Sequence, residues 1–240
     1  MAESYTIEPE HAAPHGHAGL QHHFENMEQQ REASTLGMWV FLVTEIMFFG
    51  GMFLAYTLYR SKYPEAFASA SNHLDLKLGA INTVVLILSS FTMAMAVYNT
   101  QVGKRRNQII ALALTLLLGA TFLGIKAVEY HQKYEDSLIP GRIVPSRPFD
   151  ASNVHLLPGA QPQNVEMFYW IYFAMTGMHA VHMIIGIVII AIILFWAIRG
   201  KYGPEYHNPV EVSGLYWHFV DIVWIFLFPL LYLLGRHLEH

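Results

Sequence analysis

Five long apolar stretches restrict the folds open to this sequence. They cover residues 36–59, 78–99, 108–130, 167–198 and 213–234. A helix needs about 20 mostly apolar residues, at a rise of about 1.5 Å each, to cross about 30 Å of hydrocarbon. Every stretch is long enough, and none alternates apolar with polar residues as a barrel strand does. The sequence therefore predicts an all-α fold, a polytopic membrane helix bundle with five transmembrane helices.

The composition excludes several classes of function. Only 13% of the residues are charged, against about 25% in a typical soluble domain. The formal net charge of −4 provides no basic surface, so no nucleic-acid partner is expected. Since the chain contains no cysteine, disulfides, thiolate metal sites and iron–sulfur clusters are excluded.

The polar segments divide the chain unevenly. Residues 1–35 are predicted to form a polar, histidine-rich tail, and residues 36–236 a five-helix transmembrane domain. Connections at residues 60–77 and 100–107 are short, whereas the loop at 131–166 is long and carries five prolines. That proline density predicts an irregular but ordered surface lid.

Charge and histidine content give two further expectations. The basic run Lys104–Arg106 on a tight turn favours a cytoplasmic N-terminus. The tail histidines allow a transition-metal site, but a solvated tail is the simpler interpretation. These histidines are His11, His15, His17, His22 and His23.

Glu45 is the clearest ionisable residue within a predicted span. It lies nine residues into the first stretch, about 13 Å along the helix, close to Phe48, Phe49 and Met52. Charge at the bilayer centre costs at least about 2.5–3.5 kcal/mol, so a neutral carboxyl is favoured there. Two interpretations stay open, a glutamic acid hydrogen-bonded to a neighbouring helix and a carboxyl that exchanges protons or gates their passage.

Two pairs of polar residues lie three positions apart within predicted helices. His218 and Asp221 share one helix face and are expected to pair. His179 and His182 invite a metal or heme hypothesis, yet a bundle metal site would add carboxylates at matching depth. Because Thr176 and a glycine lie beside them, close helix packing with interhelical hydrogen bonds is the favoured interpretation.

The third predicted helix ends in charged and aromatic residues. Lys126 and Glu129 are expected to form an ion pair close to the headgroups, with the lysine stem reaching towards water. Aromatic residues near helix ends are expected at the membrane interfaces. They are Tyr130, Tyr169, Trp170, Tyr216 and Trp217.

Five segments, taken in order, resemble those of subunit III of the heme-copper respiratory oxidases, the cytochrome c oxidases among them. They are LGMWVFLVTEIMFF at 36–49, INTVVL at 81–86, AVEY at 127–130, AMTGMHAVH at 174–182 and YWHFVDIVW at 216–224. The mitochondrial type has two more helices ahead of the glutamate helix, so the chain resembles the five-helix bacterial form. Lys126 stands where many members have glutamine.

The resemblance implies a non-catalytic subunit of a proton-translocating cytochrome c oxidase complex in aerobic respiration. Hemes and copper would belong to partner subunits I and II, and this chain would hold no metal or other cofactor. It would stabilise subunit I, bind phospholipid and support proton uptake, with Glu45 as the carbodiimide-reactive carboxyl. Other intramembrane polar residues would hold the bundle together, namely His179, His182, His218, Asp221, Glu129 and Lys126.

The resemblance also implies a multi-pass protein of the bacterial cytoplasmic (inner) membrane, with membrane lipids and a larger respiratory supercomplex among its partners. Alternatives within the family are subunit III of a quinol oxidase and an accessory protein of a nitric oxide reductase. A stand-alone proton-coupled transporter with Glu45 as carrier is a further alternative, disfavoured because no inverted repeat is found. A heme-binding membrane anchor is the remaining alternative.

Overall fold

A computed structural model describes Phe24, residues 26–141 and residues 148–233. Five helices are long and apolar enough to cross a membrane, which confirms the predicted all-α bundle. They are α1 (Met27–Lys62), α3 (Leu76–Gln101), α4 (Arg105–Glu135), α5 (Pro162–Ile198) and α6 (Asn208–Phe228), the last continued by a π-helical turn (Pro229–Leu233). A short helix, α2 (Pro64–Asn72), joins α1 to α3.

The structure corrects the predicted tail and the predicted loop at 60–77. Helix α1 begins at Met27, so the last part of the predicted tail 1–35 is helical. The Asn26 side chain accepts a hydrogen bond from the Gln29 amide at 2.8 Å and caps the helix there. The predicted loop 60–77 contains α2, which starts at a proline, the residue best tolerated in a first helical turn. The tail histidines lie outside the described residues.

The described parts of the long loop pack onto the bundle. Leu138 and Val154 are buried, and a 3₁₀ turn (Ala151–Asn153) lies between them. The Leu157 amide donates to the Ser69 hydroxyl of α2 at 3.0 Å. Packing and hydrogen bonding therefore hold the described parts of this loop in place. The structure does not describe residues 142–147.

Helix α6 forms the centre of the bundle and α1 its edge. Helix α6 packs against α1, α3 and α5, while α3 and α4 pack on each other as a hairpin. In the most apolar 18-residue window of α6, 56% of the residues are buried, against 11% in α1. Helix α1 therefore presents most of its surface outward.

The indole of Trp217 locks α6 into the bundle. Its ring is fully buried, and its Nε1 donates to the Ser89 hydroxyl of α3 at 3.1 Å. A Cβ at Gly119 of α4 would lie 2.7 Å from this ring, and one at Gly186 of α5 would lie 2.9 Å from it. Four helices therefore meet at one side chain.

Two of the aromatic residues expected near helix ends, Tyr216 and Trp217, lie instead in the middle of α6, because that helix starts several residues before the predicted span. Tyr169 is buried inside the bundle.

The chain beyond α6 is held by hydroxyl groups from two other helices. Pro229 interrupts the α-helical hydrogen bonding. Tyr56 of α1 donates to the Leu230 carbonyl and Ser71 of α2 to the Leu231 carbonyl, each at 2.7 Å. These bonds satisfy carbonyl groups that would otherwise lack partners in an apolar setting.

We predict that Gly119→Ala destabilises the bundle by about 1–3 kcal/mol, because the rigid, buried Trp217 ring must move to admit a methyl group. Gly124→Ala in the same helix is the matched control, since nothing lies within 4 Å of its Cβ position. Unfolding of the purified chain in mixed micelles with dodecyl sulfate measures both. Equal free energies of unfolding for the two variants would contradict the close packing.

Candidate functional site

An interhelical pair joins Glu45 to His182. Glu45 lies near the midpoint of α1, and its Oε2 is 3.1 Å from Nε2 of His182 on α5. Of the two interpretations of Glu45, the hydrogen bond to a neighbouring helix thus has a defined partner, His182. The sequence predicted interhelical hydrogen bonding for His182, and the structure shows it.

The second ring nitrogen of His182 limits how this pair can hydrogen-bond. Its Nδ1 lies 2.9 Å from the Met178 carbonyl, which can only accept, so Nδ1 carries a hydrogen. Nε2 is then either an acceptor for a protonated Glu45 or part of an imidazolium that donates to the carboxylate. In both states the pair shares one proton and is neutral as a unit.

The surroundings keep the pair rigid and partly accessible. The Phe49 ring meets the His182 ring edge-on at 5.3 Å between centroids. Tyr216 of α6 donates to the His182 carbonyl at 3.0 Å. The side chains of His182 and Glu45 remain 12% and 18% exposed. A small molecule in the lipid phase can therefore reach the pair from the α1 edge of the bundle.

Lys126 and Glu129 form the predicted ion pair, but the lysine stem does not reach towards water as predicted. Lys126 Nζ lies 2.9 Å from Glu129 Oε2, and the two side chains are only 5% and 1% exposed. Tyr172 donates to Glu129 Oε1 at 2.9 Å, Tyr232 donates to the same oxygen, and Nζ is 4.8 Å from the centre of the Trp224 ring. The lysine side chain points into the bundle because the carboxylate and the aromatic ring that it contacts lie there.

The segment of His179 and Thr176 was expected to pack closely and to form interhelical hydrogen bonds. His179 does the first and Thr176 the second. His179 is fully buried between the rings of Phe122 and Trp224, with centroids at 5.5 and 5.2 Å. Neither of its ring nitrogens has a hydrogen-bond partner within the described chain, so the interhelical bond expected of it is not formed. Thr176 instead joins α5 to α4, with its hydroxyl 2.6 Å from that of Tyr130.

The predicted pairing of His218 with Asp221 is wrong. Nδ1 of His218 lies 2.7 Å from the Ser90 hydroxyl of α3. No ion pair joins His218 to Asp221 among the residues described, and the Ser90 hydroxyl also lies within reach of the Asp221 carboxyl. A spacing of three residues allows a pair, as Lys126 and Glu129 show, so the surroundings and not the spacing keep His218 and Asp221 apart. His218 thus faces Ser90, a partner that a single helix sequence does not reveal.

The sequence did not identify Ser90, Tyr172 and Tyr232 as partners of the ionisable residues. Each is a hydroxyl-bearing residue in an apolar helix, and such a group usually finds a hydrogen-bond partner when buried. Within the described ranges, no three His, Cys, Asp or Glu side chains form a group that could hold a metal ion.

We predict that Lys126→Met lowers the free energy of unfolding by about 3–5 kcal/mol, because it leaves Glu129 buried without its cation. The double variant Lys126→Met, Glu129→Gln restores most of that loss, since both charges are then gone. Dodecyl sulfate unfolding of the three proteins measures the difference. A double variant less stable than the single one would contradict the compensation of charge.

Comparison with known proteins places the chain in a family. The sequence model described as Cytochrome c oxidase subunit III matches residues 20–138 and 164–236. Cytochrome c oxidase subunit 3 of Thermostichus vulcanus is 30% identical, over 88% of this chain and 92% of the relative. Quinol oxidase subunit 3 of Bacillus subtilis (strain 168) is also 30% identical, over 87% and 92%.

Cytochrome c oxidase subunit 3 of Synechocystis sp. is 33% identical, over 82% of this chain and 74% of the relative. The family match spans the helices that carry Glu45, His182 and Lys126. The chain therefore belongs to the cytochrome c oxidase subunit III family, as a subunit of a heme-copper respiratory oxidase.

Proposed function

We propose that this chain is a redox-inactive subunit of a bacterial oxidase, which stabilises subunit I and supports proton uptake during oxygen reduction. Hemes and copper belong, in this proposal, to subunits I and II. The observation that carries it is the Glu45–His182 pair, an ionisable contact inside the membrane that joins the edge helix to the bundle.

The chemistry of this pair suits proton exchange. One proton lies between Glu45 and His182 and can rest on either group without a change in the charge of the unit. Uptake of a further proton would give the pair a charge of +1, and release of its proton a charge of −1. Exchange therefore avoids an isolated charge, which would cost at least about 2.5–3.5 kcal/mol in hydrocarbon, only when one proton enters as another leaves. The partial exposure of both side chains gives a proton donor access.

The electron donor is proposed to be cytochrome c, with a quinol as the second candidate. A named cytochrome c oxidase subunit and a named quinol oxidase subunit are equally similar to this chain, at 30% identity. The partner subunits would then determine which electron donor the oxidase uses.

We propose that phospholipid binds the outer groove between α1 and α6. This groove has a volume of about 540 Å³ and is lined almost wholly by apolar side chains, Trp39, Phe53 and Phe226 among them. Its shape and chemistry suit an acyl chain more than a polar metabolite.

The proposed location is the bacterial cytoplasmic membrane, with the N-terminus in the cytoplasm. The basic run Lys104–Arg106 supports this orientation, because short cytoplasmic turns carry an excess of Lys and Arg.

We predict that dicyclohexylcarbodiimide modifies Glu45 in preference to Asp221. The reagent partitions into lipid and adds to a protonated carboxyl, and the Glu45 side chain is 18% exposed, whereas both carboxyl oxygens of Asp221 are buried. Peptide mapping of the labelled oxidase locates the adduct. Labelling centred on Asp221 would contradict this assignment.

Glu45→Gln should abolish labelling and leave the initial rate of oxygen reduction nearly unchanged, because no redox centre is proposed on this chain. Proton uptake per turnover, or the number of turnovers before inactivation, should fall. Asp221→Asn serves as the matched control and should leave labelling intact. A Glu45→Gln oxidase that loses oxygen reduction outright would contradict the proposal.

A further inference from the structure

Two buried polar side chains lack hydrogen-bond partners in the interior of the bundle. His179 of α5 is fully buried, and neither of its ring nitrogens bonds to the described part of the chain. Asn82 of α3 is fully buried as well, and its Oδ1 has no partner within the same ranges. Buried polar groups are usually hydrogen-bonded, because leaving one unpaired costs its full desolvation penalty. Each of these atoms therefore calls for a partner.

The two side chains belong to one packing unit. The Asn82 amide nitrogen donates to the Phe122 carbonyl of α4 at 3.5 Å, and the Phe122 ring meets the His179 ring edge-on. Trp224 of α6 lies against the His179 ring with 5.2 Å between centroids. Its Nε1 donates to the hydroxyl of Thr83, which follows Asn82 in the chain. Phe122 and Trp224 thus connect the surroundings of His179 to those of Asn82.

Both side chains present an acceptor that needs a donor. The His179 ring is neutral, because the Lys126 ammonium lies 4.8 Å from the centre of the same Trp224 ring and opposes a second buried cation. A neutral imidazole has one N–H group and one acceptor nitrogen. The N–H group can point at an aromatic face, whereas the lone pair of the other nitrogen requires a donor. Asn82 Oδ1 accepts only, since its amide nitrogen faces the Phe122 carbonyl.

The polar side chains that neighbour this unit have their donors engaged, within the ranges that the structure describes. Lys126 Nζ already has three acceptors. The Thr176 and Thr83 hydroxyls donate to backbone carbonyls of their own helices. Both ring nitrogens of His182 are hydrogen-bonded. The missing donor for His179 therefore comes from outside these side chains.

The chemistry of the site restricts its ligand to a small neutral molecule. Asn82 and His179 are enclosed, so nothing large reaches them. A cation such as ammonium would meet the like charge of Lys126. Water is small and neutral, and its two O–H groups match the two unpaired acceptors.

We propose that an internal water molecule binds between Asn82 and His179. It donates one hydrogen to Asn82 Oδ1 and the other to the acceptor nitrogen of His179. Buried waters of this kind bond to polar groups that lack other partners and are part of the structure. This one joins α3 to α5 through the centre of the bundle, a role that does not depend on the proposed function.

Electron cryomicroscopy of the chain in its native complex, at a resolution that shows ordered water, tests the site directly. We expect a density peak within hydrogen-bond distance, about 3 Å, of both Asn82 Oδ1 and one ring nitrogen of His179. Empty space between the two side chains, or a direct bond from Asn82 to His179, would overturn the proposal.

Unfolding of the purified chain in dodecyl sulfate tests the energetic link. His179→Phe keeps an aromatic ring in place and should raise the equilibrium constant for unfolding about threefold or more, the size of one hydrogen bond. In an Asn82→Leu background the same substitution should have a smaller effect, because the water has already lost an acceptor. Met183→Leu, at a buried apolar position of α5, is the matched control and should act equally in both backgrounds.

A dry His179 gives the opposite sign. Replacing an unpaired buried polar group by an apolar ring of similar size removes its desolvation penalty. A His179→Phe chain as stable as the parent, or more stable, would therefore contradict the bound water. Equal effects of His179→Phe in both backgrounds would contradict the bridge to Asn82.

Discussion

A polar side chain within the bilayer is costly to leave unpaired, because the hydrocarbon offers it no water, and this constraint shapes much of the bundle. Lys126 and Glu129 are enclosed by tyrosines from α5 and from the turn after α6. Glu45 of α1 meets His182 of α5. Each polar contact thus adds a specific bond to the van der Waals packing of the helices, which the hydrophobic effect does not drive because lipid tails are as apolar as leucine.

The spans were predictable from the sequence because hydrocarbon thickness fixes a minimum apolar length. The ends of the helices were less predictable. Helix α1 begins at Met27 because the Asn26 side chain caps it, which is a local effect outside the apolar pattern. The partners of the ionisable residues could not be predicted. Spacing along one helix suggested His218 with Asp221, whereas the structure brings Ser90 from α3, since such pairing depends on the tertiary fold.

The Glu45–His182 contact links the position of α1 to its proposed role. This helix lies at the edge of the bundle, and the contact lies near its midpoint. A pair that holds one proton between two helices can stabilise the subunit and exchange protons with the same atoms. The aromatic contact from Phe49 and the Tyr216 bond to the His182 carbonyl keep that geometry fixed.

Membership of a respiratory oxidase is the claim on which the proposed role of Glu45 depends. Affinity purification of the chain from native membranes in mild detergent, with subunits identified by mass and hemes by absorption, tests it most directly. The account predicts one heme-copper catalytic subunit for each copy of this chain. A homo-oligomer of this chain, free of heme absorption, would contradict it.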